Sequence, residues 1–297
     1  MIQASISETS PAGKDTIESM RDRVTALLFS SMSKRAVDQL ERLVPPLRKW
    51  HRFAYEEHFF RAAKWERLFH GVYPTFEAAE RAIPAGSQVG FDNDDAARFL
   101  GHKGSIFPSD YPVLFWLEKL LPENRRVLDF GGYLGISFYT YKKVMTYPTD
   151  LQWTIFDVPA IVTAGRQLAL EQRESQLTFT GDFSEASRAD ILIAAGSIHF
   201  CREEFSDELQ SLTSRPRHIL INKLPLVDAE PFVTLHNMGP AFCPYKIMNR
   251  AAVVQSILNC GYELINSWSN PDLGCYIPFH PERTVRAYTG MYFRRKD

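Results

Sequence analysis

The sequence lacks the devices that small or exported proteins lean on. It has four cysteines, Cys201, Cys243, Cys260 and Cys275, and none stands in a Cys-x-x-Cys pair. Their wide spacing suits neither a zinc site nor a dense disulfide framework, so reduced thiols are expected and no metal is assigned. No apolar run approaches the ~20 residues that a membrane helix needs, so no membrane span is expected. The stretch Met1 to Lys14 lacks the basic-then-apolar order of a signal peptide, and the chain reads as cytoplasmic. A surplus of one charge is missing too: 34 Lys and Arg face 35 Asp and Glu, a net charge of −1. That balance gives no broad attraction to nucleic acid and points to a small-molecule or carrier-bound substrate. Internal repeats are absent.

What is present is ordinary for a soluble globular protein: 297 residues, 45% hydrophobic and 23% charged. That length holds a core of ~150–200 residues and an accessory region. Residues 1–14 are polar and read as a disordered tail. From Thr16 to Leu43 apolar residues recur at helical spacing, and Pro45-Pro46 stops the pattern because proline cannot donate within a helix. A second helix is expected from Leu47 to Phe69, crowded with Trp50, Phe53, Tyr55, Phe59, Phe60, Trp65 and Phe69. Such a helix needs a cover, either the core domain as a lid or a second subunit, and a homodimer is the favoured expectation. Gly71 to Thr75 reads as a turn, with Thr75 the N-cap of a short helix through Arg81. Gly86 to Ser109 reads as a long loop. The whole of 15–109 is thus a helical accessory, oligomerisation or lid region.

The texture changes after an amphipathic helix at Tyr111–Leu121. Strands are expected at Val127–Phe130, Trp153–Phe156, Leu177–Phe179, Ile191–Ala194 and His218–Ile221. Helices are expected between them at Ile136–Thr146, Ala160–Glu174 and Ser206–Thr213. Arg250–Cys260 then reads as a helix, and Tyr262–Trp268 and Ala287–Arg294 as the last two strands. This alternation predicts an α/β fold over 110–297, a Rossmann-like, doubly wound, seven-stranded sheet.

The richest stretch is Val127-Leu-Asp-Phe-Gly-Gly-Tyr-Leu-Gly135, a buried strand that breaks into a glycine turn and opens a helix. Glycine lets the backbone turn sharply and lie against a ligand. The turn is not G-x-G-x-x-G, and its acidic residue two places before the first glycine suits a cationic amino-acid ligand better than a pyrophosphate. A second strand ends at Asp157, placed to accept both hydroxyls of a ribose; alone, the same residue reads equally as a cap before Pro159. A third ends in Gly181-Asp182-Phe183, where a carboxylate can meet an adenine amino group and an aromatic can pack on the ring. Taken alone, Asp182 reads as a turn carboxylate ahead of a ligand contact. A fourth ends at Ala194-Ala195-Gly196, small enough for close approach. All four features lie at carboxyl ends of strands, where open α/β sheets bind ligands.

The stretch Asp129-Phe-Gly-Gly-Tyr-Leu-Gly135 resembles motif I of class I S-adenosylmethionine (SAM) dependent methyltransferases. Its form is similar to that of plant and bacterial natural-product O-methyltransferases, and Phe156-Asp-Val-Pro159 and Gly181-Asp-Phe183 look like that group's next two motifs. Tyr133 departs from the pattern, since those enzymes usually carry a third glycine there. A wider resemblance, from Trp65 to Arg295, includes Gly71-Val-Tyr73, Asp110-Tyr-Pro112, Ile221-Asn-Lys-Leu-Pro-Leu226 and Tyr288-Thr-Gly-Met-Tyr-Phe-Arg-Arg295. It is to a bacterial methyltransferase family often found near surface-polysaccharide genes. The resemblance implies SAM as cofactor, held by Asp129, Gly131, Gly132, Gly135, Asp157, Val158, Asp182, Phe183 and Ala195.

It also implies a base. Ala189 to His199 aligns with the segment of those O-methyltransferases whose histidine takes the acceptor's proton, a role suited to a side chain that titrates near neutrality. Phe200 replaces the acidic residue common after that histidine, so a structural or substrate-binding His199 stays open. Leu226–Arg250 reads as a substrate loop, with His236 the second candidate base and Asn237, Tyr245 and Lys246 as substrate contacts. His280 reads as a turn residue and Lys223 as a surface lysine at a strand end. Methyl transfer to a small molecule at oxygen is expected, in secondary-metabolite or surface-saccharide biosynthesis. The alternatives are N- or C-methylation, another reaction at the same site, or a non-catalytic SAM-binding subunit.

Overall fold

The computed structural model describes residues 45–62, 66–99 and 104–297. The chain divides into two compact units, Met1–Ala62 and Ala63–Asp297. Within the first, helix α1 (Pro45–Arg61) begins at the tandem prolines. Proline fits a first helical turn, whose N–H groups lack helical partners anyway. Pro45-Pro46 therefore opens a helix; the preceding periodicity at Thr16–Leu43 and the expected tail lie outside the described residues. Tyr55 and Phe59 are buried, while Trp50 and Phe53 are exposed. The helix stops at Arg61, not Phe69, because Leu68–Tyr73 is strand β1, paired with a strand far along the chain.

The second unit holds two sheets. The larger is built from β2 (Arg126–Phe130), β3 (Gln152–Phe156), β4 (Leu177–Thr180), β5 (Ile191–Ala195), β6 (His218–Leu224), β10 (Tyr262–Asn270) and β11 (Tyr288–Arg295). Their order is β10-β11-β6-β5-β2-β3-β4. Strands β2 to β6 are parallel, and β11 alone runs against its neighbours β6 and β10. This is the expected seven-stranded, doubly wound α/β fold. Its central strands are nearly continuous apolar runs because both faces are covered. Leu128, Phe130, Leu192, Ala194, Ile219 and Ile221 turn to one core, with α7 (Phe205–Ser211) and α8 (Arg250–Asn259). Val127, Ile191, Ile193 and Leu220 turn to the other, with α4 (Tyr111–Leu120), α5 (Ile136–Tyr141) and α6 (Pro159–Glu171).

The smaller sheet corrects the sequence reading most. Residues 226–250 are not a loop but β7 (Leu226–Val227), β8 (Phe232–Asn237) and β9 (Phe242–Asn249), in the order β1-β8-β9-β7. Pairing satisfies the backbone of a segment whose β8 residues are all buried. Because β1 belongs to this sheet, residues 66–99 pack with the second unit, and the division of the chain falls at 62/63 instead of the expected 109/110. Thr75 does cap α2 (Phe76–Glu80), accepting from the Ala78 N–H at 3.1 Å.

The expected loop at Gly86–Ser109 contains a helix as well, α3 (Asp94–Phe99). Asn93 makes it possible: its Oδ1 accepts from the Ala96 N–H at 2.8 Å, and Ala96 and Ala97 are buried. All four cysteines are free thiols. Among the described residues no helix is long and apolar enough to cross a membrane, and no three metal-ligating side chains converge.

Candidate functional site at the strand ends

The chain winds from β2 outward to β4, then returns to β5 on the other side of β2. The sheet's switch point is therefore between β2 and β5, the place where open α/β sheets bind ligands. Two turns meet there. After β2 come Gly131 to Gly135; after β5 come Gly196 and Ser197. Ser197 Oγ donates to the Phe130 carbonyl at 2.5 Å. Gly131 has φ +65°, and a Cβ on it would fall 2.4 Å from that of Ser197. A Cβ on Gly132 would fall 2.7 Å from the Asp129 carboxylate and 2.8 Å from Ile155 Cδ1. Gly135 is the N-cap residue of α5.

The two carboxylates differ in what they hold. Asp129 is buried beneath the turn, and its Oδ2 has no hydrogen-bond partner among the described residues. Burial pushes its pKa up to about 7, and the nearby Asp157 adds to the shift. Asp157 accepts from the backbone N–H of Tyr133 at 2.9 Å through Oδ2 and from that of Val158 at 2.8 Å through Oδ1. Burial raises its pKa to about 6 against the opposing pull of those two donors. Val158 caps α6 in extended conformation with no side-chain bond, and Ala195 ends β5 opposite Asn222. Asp182 is exposed and caps the short 3-10 helix Phe183–Arg188, accepting from the Ser184 N–H at 2.9 Å; the Ser184 side chain and then this N–H lower its pKa. The turn reading of Asp182 is thus what its Oδ1 shows. Phe183 is buried in the core against Phe130 and Phe156, at 5.4 and 5.3 Å between ring centroids.

The two candidate bases, far apart in sequence, pack in one buried aromatic cluster, the His199 chamber. His199 lies in the 3-10 turn Ile198–Phe200 and His236 on β8. Both rings contact Tyr245, at centroid distances of 4.2 and 5.3 Å. His236 stacks on Phe69 at 4.3 Å, and Phe200 closes the group. His199 Nδ1 and both ring nitrogens of His236 are buried without hydrogen-bond partners among the described residues. Burial drives the His199 pKa down to about 3 and that of His236 well below its usual value. Near-neutral titration, expected of His199 from its residue type, does not hold here: both rings are neutral because their charged forms would be desolvated.

The remaining substrate candidates are engaged within the fold. Tyr245 donates to the Tyr288 hydroxyl at 2.7 Å. Lys246 Nζ pairs with Glu204 at 3.0 Å and donates to the Glu203 carbonyl at 3.1 Å, which fastens the 202–204 loop. Asn237 accepts from the Gly239 N–H at 2.7 Å in the β8–β9 turn. His280 sits 3.5 Å from Glu282 at a turn. A cleft of about 250 Å³ lined by Lys119, Arg217, His218 and Arg294 lies at the amino end of β6, the wrong end of the sheet for this chemistry.

No family model matches the chain, and no curated protein matches it. Several solved structures share its fold in part. One is a 1,6-didemethyltoxoflavin N1-methyltransferase from Burkholderia thailandensis with bound S-adenosylhomocysteine, 15% identical over 64% of this chain and 79% of that one, TM-score 0.43. The CcbJ methyltransferase from Streptomyces caelestis is 14% identical over 71% and 98%, TM-score 0.45. The magnesium protoporphyrin IX methyltransferase of Synechocystis PCC 6803 with bound SAM is 16% identical over 69% and 93%, TM-score 0.44. Likeness at this level carries no chemistry, which the site's own geometry must supply.

Three features of that geometry are absent from the sequence reading. Lys223, read as a surface lysine, forms an ion pair with Asp110 at 2.7 Å, and Asp110 also accepts from the Phe107 N–H at 2.9 Å. Asn222 is fully buried, donating to the Ser109 carbonyl at 2.8 Å and accepting from Trp268 at 3.1 Å and Asn270 at 2.9 Å. Both fall inside motifs of the wider resemblance, Asp110-Tyr-Pro112 and Ile221-Asn-Lys-Leu-Pro-Leu226, which is the signal that could have found them. Third, Tyr133 is held at φ +54°, in the left-handed region that costs a side-chain-bearing residue about 1–2 kcal/mol. Its hydroxyl donates to the Ala96 carbonyl on α3.

Proposed function

We propose that this protein is a SAM-dependent methyltransferase acting on a small-molecule acceptor, most directly at oxygen. The observation that carries the reading is the buried Oδ2 of Asp129, without a hydrogen-bond partner among the described residues, beneath Gly132 at the switch point and near Asp157. A ligand with a cationic amino-acid end and a ribose fits that pair. Asp129 supplies charge to the cation, Asp157 faces the ribose while holding the turn, and Gly131 and Gly132 let that turn lie directly on Ser197, Asp129 and Ile155. SAM, when bound, supplies an electrophilic methyl group on its sulfonium.

The chain's own contribution is positioning and dryness. Phe69, Phe200 and Tyr245 exclude water from the chamber, and orientation of two reactants alone is worth several kcal/mol. Neutral His199 is 2% exposed, so it accepts the proton of an acceptor hydroxyl only where acceptor binding parts the rings around it. A cytoplasmic, homodimeric enzyme of secondary-metabolite or surface-saccharide biosynthesis is the fuller form of this proposal. Calorimetric titration with S-adenosylhomocysteine tests it: saturable binding that Gly132→Val abolishes in a folded protein supports the site. No binding at millimolar ligand would overturn the cofactor. Label transfer from methyl-labelled SAM to acceptor libraries then separates oxygen from nitrogen and carbon products, and an enzyme from a silent subunit.

A further inference from the structure

A left-handed position favours glycine, yet this chain places a tyrosine at 133, in the middle of the turn that the cofactor would touch. The ring gains two contacts there. Its hydroxyl donates to the Ala96 carbonyl, and its face meets Phe91 edge-on at 6.3 Å. Phe91 in turn meets Phe200, next to His199, at 6.4 Å.

These residues belong to one strap, 88–99. At its start the Phe242 N–H donates to the Gln88 carbonyl at 3.0 Å, and the Gly90 N–H donates to the Phe242 carbonyl at 3.0 Å, so β9 anchors it. Farther on, Asp92 Oδ1 accepts from the Ala160 N–H at 2.9 Å, in the first turn of α6 just beyond Asp157. Ala97 packs with Leu134 and Ile161. The strap therefore touches the segments just past β2 (Tyr133, Leu134), past β3 (Ala160, Ile161) and past β5 (Phe200). It crosses the strand ends at which the nucleoside is proposed to lie.

We infer that Tyr133 is a positioning residue whose hydroxyl latches this strap over the cofactor turn, so that the cofactor enters and leaves only when the strap lifts. The same latch holds Phe91 between the turn and the His199 chamber, as the partition that an acceptor must lie against. The inference rests on the SAM reading, because a gate needs something to pass it.

Tyr133→Phe removes the latching hydroxyl and keeps the ring, and stopped-flow binding of S-adenosylhomocysteine reads the consequence. Both association and dissociation should quicken about tenfold, the scale of one hydrogen bond, with affinity nearly unchanged. Amide hydrogen exchange over 93–99 should quicken by a similar factor, while the melting temperature stays close to that of the wild type. A residue that is merely structural would lower affinity without speeding association. Tyr133→Gly, which also removes the left-handed strain, should show the same two faster rates. Unchanged association in both variants overturns the latch and leaves the cofactor reading standing. Wild-type protein that binds no S-adenosylhomocysteine overturns both, and the two failures are thereby told apart.

Discussion

Asp157 reaches back 24 residues to accept the backbone N–H of Tyr133 at 2.9 Å. One carboxylate thus fixes the glycine turn after β2 while terminating β3. Its second oxygen takes the N–H of Val158, which is itself the N-cap of α6, so Asp157 is not the helix cap that it could be read as in the sequence. Held by two donors, the carboxylate is oriented before any ligand arrives, which lowers the cost of binding one.

Removing that carboxylate should separate its two roles. Asp157→Ala strands two backbone N–H groups, at about 1–3 kcal/mol if they stay buried, and should lower the melting temperature by several degrees. Affinity for S-adenosylhomocysteine should fall by about 1.5–3 kcal/mol, the scale of a charge-assisted hydrogen bond. Asp157→Asn keeps one acceptor oxygen for the two N–H donors and turns an NH2 toward the other, so it should recover at most half of the stability and less of the affinity. Calorimetry showing wild-type affinity in the Asn variant would remove the charge from the account.

The pH dependence of stability follows from burial. Asp129 has its folded pKa raised to about 7, so the folded state holds a proton that the unfolded state has lost. Its contribution is full below the unfolded carboxylate value and is lost as pH rises through about 7. His199 acts in the opposite sense: its pKa is lowered to about 3, so stability falls as pH drops below the unfolded histidine value of about 6.5. Comparing Asp129→Asn with wild type isolates the first. The variant should gain relative stability between pH 5 and 8, by a few kcal/mol at most. A constant difference across that range would mean that Asp129 is ionised throughout.

A cationic ligand should reverse that shift. An ammonium group near Asp129 favours the carboxylate, so binding S-adenosylhomocysteine near pH 7 should release a fraction of a proton, and affinity should rise from pH 5.5 to 7.5. Titrations in buffers of different ionisation enthalpy measure the release directly. Equal apparent enthalpies in all buffers would place the cationic end elsewhere.

How far the sequence carried depends on what kind of signal each element sends. The parallel strands of the main sheet were legible as short apolar runs alternating with helical patterns, and all seven strands lie within a residue or three of their expected bounds. The turn at 131–135 was legible because glycine spacing is a local property. The smaller sheet was not. Its β1 is followed by Pro74 and contains Gly71 at φ +74°, which reads as a turn, and only long-range pairing with β8 makes it a strand. The sequence placed His199 and His236 on one functional face, but their shared chamber depends on that pairing, and so do their lowered pKa values. Helix α3 was hidden by its brevity, and Tyr133 showed only as a misfit in a motif.

Self-association would involve the first unit. Trp50 and Phe53 are 56% and 59% exposed on α1, two large apolar side chains three residues apart on a helix. Pairing in a homodimer would cover them. Light scattering of the full chain at micromolar concentration should give twice the monomer mass. Trp50→Glu with Phe53→Glu should return it to monomer without loss of folding. The deletion that tests the unit should end at residue 62, because a cut at 69 would remove Leu68 and Phe69 from β1, which pair with Asn237 and His236. A full-length monomer, or a dimer unmoved by the double substitution, would exclude α1 as the interface.

The base is the sharpest test of the proposed chemistry. If His199 takes the acceptor's proton, His199→Ala should cut kcat by about 10²–10⁴ and leave S-adenosylhomocysteine affinity nearly intact. Because burial holds His199 near a pKa of 3, its neutral form dominates at every working pH. The rate should therefore show no limb near 6.5, and any rise with pH should reflect ionisation of the acceptor itself. His236→Ala should cost mainly stability, through the lost stack on Phe69, with a small effect on kcat. A reversed pattern would make His236 the base. A limb near 6.5 that vanishes in His199→Ala would mean that acceptor binding opens the chamber to water and restores an ordinary imidazole. If neither variant loses more than tenfold in kcat, with chemistry shown to be rate-limiting, no histidine base operates. Transfer then rests on alignment of an acceptor that is already nucleophilic, such as an amine or a phenolate.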